Sequence, residues 1–496
     1  MARTHQEWTQ LADSLQIEHR AFIGDGYCEA ADARTFDCVN PANGRLLAKV
    51  AWCGEGEVNR AVSQARAAFD DGRWSGLAPL ARARILKRFA ALIRAHSDEL
   101  ALLETLDMGK PIGDSTSVDV PGAAYCVEWF AEAIDKVGGE VAPVDPRLVG
   151  LVTREPVGVV AAVVPWNFPI LMASWKFGPA LAAGNAVIVK PSEKSPLTAI
   201  RLAGLAREAG IPEGIFQVLP GAGDVGRLLA LHMEVDCIAF TGSTGVGKLI
   251  AGYAAESNLK RTWLELGGKS PNIILEDCPD IERAARAAAG GIFFNMGEMC
   301  TAGSRALVHR SVKEPFLAAL RKAAEGYYPG DPLNPATRMG AIVDRIQYDK
   351  VLSYIAKGRS EGAQLVCGGS AALSETEGLF IEPTAFDCPK PDLTICREEI
   401  FGPVLSVVTF DTVDEAVRIA NDTEYGLAAA VWTSNVSTAH QVARRLRAGT
   451  VWVNCYDEGG DMNFPFGGFK QSGNGRDKSL HALEKYTELK STVIKL

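Results

Sequence analysis

Apolar positions recur at helical spacing over residues 57–70 and 79–108, where Ala and Leu are interleaved with Arg and Glu, and this pattern predicts two amphipathic helices. From residue 158 the pattern changes. Short apolar runs at 158–165, 186–191, 216–220 and 237–241 end in Pro, Gly or Thr and are separated by helix-like stretches. Such alternation predicts a parallel sheet with helices on both faces and ligands at the carboxyl ends of its strands. The pattern restarts after Lys269, with a strand at 270–275, an Ala-rich helix at 281–294 and a later strand at 404–410, which predicts a second α/β unit. A cleft between two such units follows. The fold class expected is therefore α/β, with a Rossmann-like parallel-sheet domain beside a second α/β domain.

Composition narrows the setting. A chain of 496 residues, 47% hydrophobic and 22% charged, buries large cores and divides into two or three domains. A net charge of -9 argues against nucleic acid or an anionic membrane as partner. No run of about 18 apolar residues suggests a membrane span, and the stretch from Met1 to Trp8 lacks the apolar core of a signal peptide. Eleven scattered cysteines, an odd number with no CxxC pair, fit a reducing cytoplasm. The seven histidines, at 5, 19, 96, 232, 309, 440 and 481, form no HxxxH pair and sit near no cysteine cluster, so no metal site is expected.

One cysteine stands apart. Cys300 follows Phe293, Phe294, Asn295, Met296, Gly297, Glu298 and Met299 and precedes Thr301, Ala302 and Gly303, a Gly-bearing setting downstream of Leu264, Glu265, Leu266, Gly267, Gly268 and Lys269. A nucleophilic sulfur and a carboxylate able to activate water are the two groups that oxidation of an aldehyde to an acid requires. Thiolate addition makes the carbonyl carbon a hydride donor, and the thioester left behind needs water and a general base such as Glu265. Both halves place negative charge on oxygen. Asn167 offers an amide donor to partner the backbone N–H of Cys300.

These residues lie in seven blocks that resemble the aldehyde dehydrogenase superfamily in its own order. They are Pro165 to Pro169, Lys190 to Glu193, Phe240 to Thr244, Leu264 to Lys269, Cys300, Glu398 to Pro403 and Pro465 to Gly468. Within it, the tail from Phe466 to Lys485 is most similar to the amino-, guanidino- and gamma-glutamylamino-aldehyde dehydrogenases of polyamine and arginine breakdown. The resemblance implies residues 1–137 and 157–267 as the NAD-binding domain and 268–468 as the catalytic domain. Residues 138–156 and 469–496 would form an oligomerisation arm and tail, whose exposed strands favour a homo-oligomer, dimer or tetramer. Cys300, Glu265 and Asn167 would be catalytic.

The nucleotide site has two candidates. Gly221 to Gly226 matches GxGxxG after a strand, and Phe240 to Gly247 places a hydroxyl residue at a helix start where free N–H groups can face phosphate. The resemblance assigns the pyrophosphate to the second, with Gly242 and Ser243, and puts Gly223 nearer the adenine. It also implies Trp166, Lys190, Glu193, Glu399 and Phe401 as cofactor contacts, and a carboxylate at 193 favours NAD over NADP.

For the aldehyde, the resemblance implies a tunnel lined by Phe168, Leu171, Trp175, Met299, Thr301 and Phe466, residues that suit an ordinary core equally. Carboxylates at its expected mouth, Asp119, Glu458 and Asp461, would draw a cationic tail, whereas acidic loop residues also serve simply to keep a surface solvated. Three features depart from the family pattern: Asp477 where many relatives have Glu, and Met296 and Glu298 where Gln is common. The expected function is NAD-dependent oxidation of a small linear aldehyde with a cationic or amide-bearing tail. The alternatives are a broad-specificity aldehyde dehydrogenase, a CoA-acylating one, against which Glu265 argues, and a silent nucleotide-binding relative.

Overall fold

The structure, a computed structural model, describes residues 3–496. Met1 and Ala2, which the N-terminal reading and the first expected domain include, lie outside the described residues. Two seven-stranded sheets carry the chain. The first runs Arg261–Glu265, Cys237–Thr241, Val159–Val163, Ala186–Lys190, Phe216–Val218, Ala21–Ile23 and Gly26–Cys28. Its first five strands are parallel and its last two antiparallel. From Val159–Val163 the chain builds the sheet in one direction and then returns to the other side with Cys237–Thr241. The carboxyl ends of those two neighbours thus flank a topological switch point, where open α/β sheets bind ligands.

The strands are buried on both faces, as their continuous apolar runs predict. Helix Pro169–Ala183 begins with Pro at its first turn and ends at Gly184, whose φ of +104° is a left-handed stop that suits glycine. The second sheet runs Gln364–Cys367, Thr384–Cys388, Val404–Phe410, Arg305–His309, Pro271–Ile274, Ala428–Trp432 and Thr450–Val453, parallel except at its first strand. Each sheet has its own core, around Trp74, Phe89 and Phe177 in one and Phe293, Phe316 and Phe386 in the other. A third, three-stranded antiparallel sheet joins Thr487–Lys495 to Leu148–Pro156 and Glu140–Ala142.

The helical stretch expected over 79–108 is two helices, Pro79–Ala95 and Ser97–Met108, broken at His96. Its backbone leaves the helical region there (φ -101°, ψ 24°). The break lets the second helix turn inward, with every residue from Leu100 to Met108 buried. The final strand, expected near 491–495, starts earlier, at Thr487.

Candidate active site

Glu265 ends the edge strand of the first sheet, Thr241 ends its neighbour, and the chain leaving Val159–Val163 carries Trp166 and Asn167 to the same rim. From the second layer, helix Ile281–Phe293 runs into a tight turn in which Asn295 and Met296 take left-handed φ of 48° and 55°, and this turn delivers Cys300. The two layers touch through glycines. A Cβ on Gly268 would lie 2.5 Å from the Cys300 carbonyl oxygen, and one on Gly267 would collide with the Glu399 carboxylate. Gly268 N–H donates to Glu399 Oε1 at 2.9 Å.

The electrostatics of this meeting point favour proton exchange. Burial, and then the nearby carboxylates of Glu265, Glu399 and Asp457, push the Cys300 thiol well above its ordinary range, so at rest it keeps its proton. Glu265 is 4% exposed and its Oε1 has no hydrogen-bond partner. Burial and the Asp477 charge push its carboxyl up to about 8, against the pull of Lys176 and Lys485. A carboxyl that titrates near neutrality is suited to taking and returning a proton.

Behind Glu265 lies a fully buried triad: Asp477 binds Lys176 through Oδ2 and Lys485 through Oδ1. Although burial alone would raise it, these two ammonium groups hold Asp477 below the usual carboxylate range. The C-terminal segment is stitched to the base strand, Leu266 N–H donating to Ser472 O at 3.0 Å and Asn474 N–H to Leu264 O at 2.9 Å.

Asn167 is buried, and its Nδ2 donates to Glu298 O at 2.8 Å, which leaves one amide N–H uncommitted. Asn295 donates to both Asn167 O (3.0 Å) and Glu298 O (3.1 Å), tying the amide to the thiol's turn. Glu298 itself is buried, with its carboxyl pushed well above the ordinary range by that burial, and Val343 N–H donates to its Oε1 at 3.3 Å. Beyond the thiol, Tyr456 O–H donates to Thr301 O at 2.6 Å.

The expected cofactor contacts gather along the same rim. Trp166 and Phe401 meet edge to face, 5.2 Å between centroids. Lys190, ending its strand, pairs with the half-exposed Glu193 at 3.5 Å, and Glu193 lines a recess with Trp52, Lys194 and Ala222. Ser243 caps helix Thr244–Glu256, its hydroxyl accepting from Val246 N–H, while Gly223 opens helix Gly223–Leu231. The space is suited to a dinucleotide: Thr241 Oγ1 is buried without a partner, and a Cβ at Gly223 or Gly245 would meet nothing within 4 Å.

The expected tunnel residues split. Trp175 and Phe466 pack at 5.0 Å, Phe168 stacks on Phe294 at 6.2 Å, and Met299 and Thr301 are buried beside the thiol. Leu171 and Trp175 line a recess with Tyr125, Met462 and Lys478. One of the three expected mouth carboxylates needs correction, while Glu458 and Asp461 are exposed. Asp119 is 0% exposed and bound to Lys110 at 3.0 Å, with Glu104 4.0 Å from the same ammonium, so it is a buried ion pair rather than a free carboxylate at an opening. Glu458 lies 3.8 Å from Arg283, and Asp461 accepts from Asn463 N–H within its turn.

Four residues that the sequence reading passed over also belong to the site. Asn295 lies within the stretch before Cys300 and Tyr456 two residues before Glu458, and neither shows any sign in sequence of its hydrogen bonds. Asp457 directly precedes Glu458, and burial pushes it up to about 6, against the pull of Lys478, although it keeps exposed surface. Lys478 follows Asp477 directly, and its lysine charge was the available signal.

Among the described residues no His, Cys, Asp and Glu group could hold a metal, and no helix is long and apolar enough to cross a membrane.

Residues 27–492 match the aldehyde dehydrogenase family, and the chain belongs to it. It is 53% identical over 490 residues to the NADP/NAD-dependent aldehyde dehydrogenase PuuC of Escherichia coli K12, covering 99% of this chain and 98% of that one. Its fold superposes on a crystal structure of gamma-glutamyl-gamma-aminobutyraldehyde dehydrogenase from Burkholderia cenocepacia J2315 with a TM-score of 0.98, at 72% identity and covering 100% of both chains. A variant of the P. syringae indole-3-acetaldehyde dehydrogenase AldA, in complex with NAD+ and IAA, gives 0.99 at 61% identity, again over 100% of both.

Proposed function

We propose that this chain oxidises a small linear aldehyde, bearing an amino, guanidino or gamma-glutamylamino tail, to its carboxylic acid with NAD. The observation that carries the reading is the convergence of the Cys300 thiol with a buried Glu265 whose free oxygen titrates near neutrality. Glu265 takes the thiol proton, and the sulfur adds to the aldehyde carbon to form a thiohemiacetal. The uncommitted amide N–H of Asn167 and the backbone N–H of Cys300 stabilise the oxyanion. When bound, NAD supplies the acceptor for the hydride that leaves this carbon. Glu265 releases the thiol proton to solvent and then removes a proton from water as it attacks the thioester; the acid departs and Glu265 returns that proton to the sulfur.

Trp166, Lys190, Glu193, Gly223, Gly242, Ser243, Glu399 and Phe401 are the proposed cofactor contacts. Phe168, Trp175, Met299, Thr301 and Phe466 are proposed to flank the aldehyde, with Glu458 and Asp461 at the mouth. The same reading gives 1–137 with 157–267 to the cofactor, 268–468 to catalysis and 138–156 with 469–496 to an arm. Exposed apolar side chains on that arm, Val141, Leu489 and Val493, support a homo-oligomer. All eleven cysteines are free, which supports a cytoplasmic setting.

Cys300→Ala is expected to abolish NADH formation while NAD binding, read by fluorescence titration, persists. Glu265→Gln is expected to slow thioester hydrolysis by roughly a hundredfold or more and to leave an acyl-enzyme visible by intact-mass analysis. Wild-type turnover in either variant would overturn the assignment.

A further inference from the structure

The recess that holds Leu171 and Trp175 carries a cation on its wall. Lys478 lines it, 6% exposed, with its ammonium 5.4 Å from the centre of the Trp175 ring. That ammonium donates to Gly460 O at 2.9 Å, which leaves two N–H bonds for a ligand. Burial holds the Lys478 pKa below its ordinary value, and Asp457 and Asp461 pull the other way. The backbone pays for this placement. Lys478 and Ser479 adopt consecutive left-handed φ of 60° and 51°, a conformation that costs on the order of 1 kcal/mol or more per non-glycine residue and that Ser479 N–H to Met462 O at 2.7 Å helps to hold. Asp457, whose charge acts on Lys478, is left-handed as well, at 53°. Backbone strain that holds a cation on the wall of a recess is costly for a merely solvated surface.

We infer that Lys478 is a specificity residue that accepts a carboxylate at the far end of the aldehyde, with the neighbouring charge of Asp457 to receive an ammonium. The substrate class this selects is an aldehyde whose tail ends in an α-amino-acid head, in preference to one ending in a lone ammonium or guanidinium. The inference rests on the proposed aldehyde oxidation and deepens it. A lone cationic tail would meet Lys478 as a like charge, whereas a zwitterionic head meets Lys478 and Asp457 with complementary charge.

Four aldehydes of one backbone test it: 4-(gamma-glutamylamino)butanal, the analogue without the α-carboxylate, 4-(4-aminobutanoylamino)butanal, the analogue without the α-ammonium, 4-(4-carboxybutanoylamino)butanal, and the neutral 4-(butanoylamino)butanal. In the wild type, removal of the carboxylate is expected to lower kcat/KM at least tenfold. In Lys478→Met the ratio of kcat/KM between the carboxybutanoyl and butanoyl compounds is expected to collapse at least tenfold, and Lys478→Arg should keep it. Loss of less than twofold on removing the carboxylate, or an unchanged ratio in Lys478→Met, overturns the inference. The wild-type panel decides the question even where the methionine variant does not fold. Equal rates on all four aldehydes sink Lys478 alone, whereas no NADH from any of them sinks the proposed chemistry itself.

Discussion

Replacing Asp477 with Asn should damage the protein in two separable ways. The native carboxylate holds two ammonium groups, Lys176 and Lys485, all three side chains being no more than 4% exposed. Asparagine keeps the shape but carries no charge, so two buried cations lose their counter-ion. Breaking a buried pair by removing one partner costs about 3–5 kcal/mol. At roughly 2–4 °C per kcal/mol for a domain of this scale, the melting temperature at a fixed scan rate should fall by about 6–20 °C. The loss should shrink at high pH, because Lys485, whose pKa burial lowers, can shed its proton there, whereas a packing defect would show no such trend. Asp477 is also the first charge that raises the Glu265 carboxyl, and Lys176 and Lys485 oppose it. Without it, Glu265 should ionise at lower pH. Thioester hydrolysis requires the ionised base, so its rate in the native protein should rise through about pH 8 and level off above it. In Asp477→Asn that limb should move to lower pH, read by quenched single-turnover assays on the accumulated acyl-enzyme. A melting temperature within 2 °C of native, or a limb that stays or moves upward, refutes the reasoning.

Other perturbations test separate parts of the site. Glu193→Gln removes the carboxylate placed to repel a 2′-phosphate, so KM for NADP should fall relative to KM for NAD by several-fold; an unchanged ratio in steady-state assays counts against its place beside the ribose. Gly268→Ala would set a methyl 2.5 Å from the Cys300 carbonyl oxygen, and kcat should drop at least tenfold with the melting temperature little changed, because the displacement falls on the nucleophile's own backbone; full activity would mean the two segments separate easily. Asp119→Asn leaves Lys110 buried with its pairing weakened and should destabilise the fold by about 3–5 kcal/mol in a thermal melt without altering the preference between charged and neutral aldehydes. Loss of that preference alone would return Asp119 to the substrate mouth.

The sequence makes most of this architecture legible because strands buried on both faces must be continuously apolar, and the residues that end them stand out. Val159–Val163, Ala186–Lys190 and Cys237–Thr241 sit within the ranges their pattern predicts, and the motif residues fall at their carboxyl ends. The helix break at His96 was hidden, since both helices on either side keep an apolar periodicity and only the tertiary packing asks the second one to turn inward. Likewise the stitching of residues 472–474 to the Glu265 strand joins segments some 200 positions apart, chiefly by backbone bonds, which no apolar periodicity encodes.

Charge is where reading along the chain loses its grip, because a carboxylate's role is set by which cation reaches it in space. Asp119, Asp457 and Asp477 are the same side chain in three states. Lys110 neutralises the first within the core. The second stands near Lys478 and is pushed up to about 6 by burial. Two lysines, one of them eight residues on and the other from a distant helix, clamp the third below its ordinary range. The lysines that decide among these fates are themselves unremarkable in sequence, and Lys478 and Lys485 lie only seven positions apart in the same C-terminal segment. One faces outward into the recess and the other inward to Asp477, so that short segment bears at once on the base that releases the acid and on the charge that the incoming aldehyde meets.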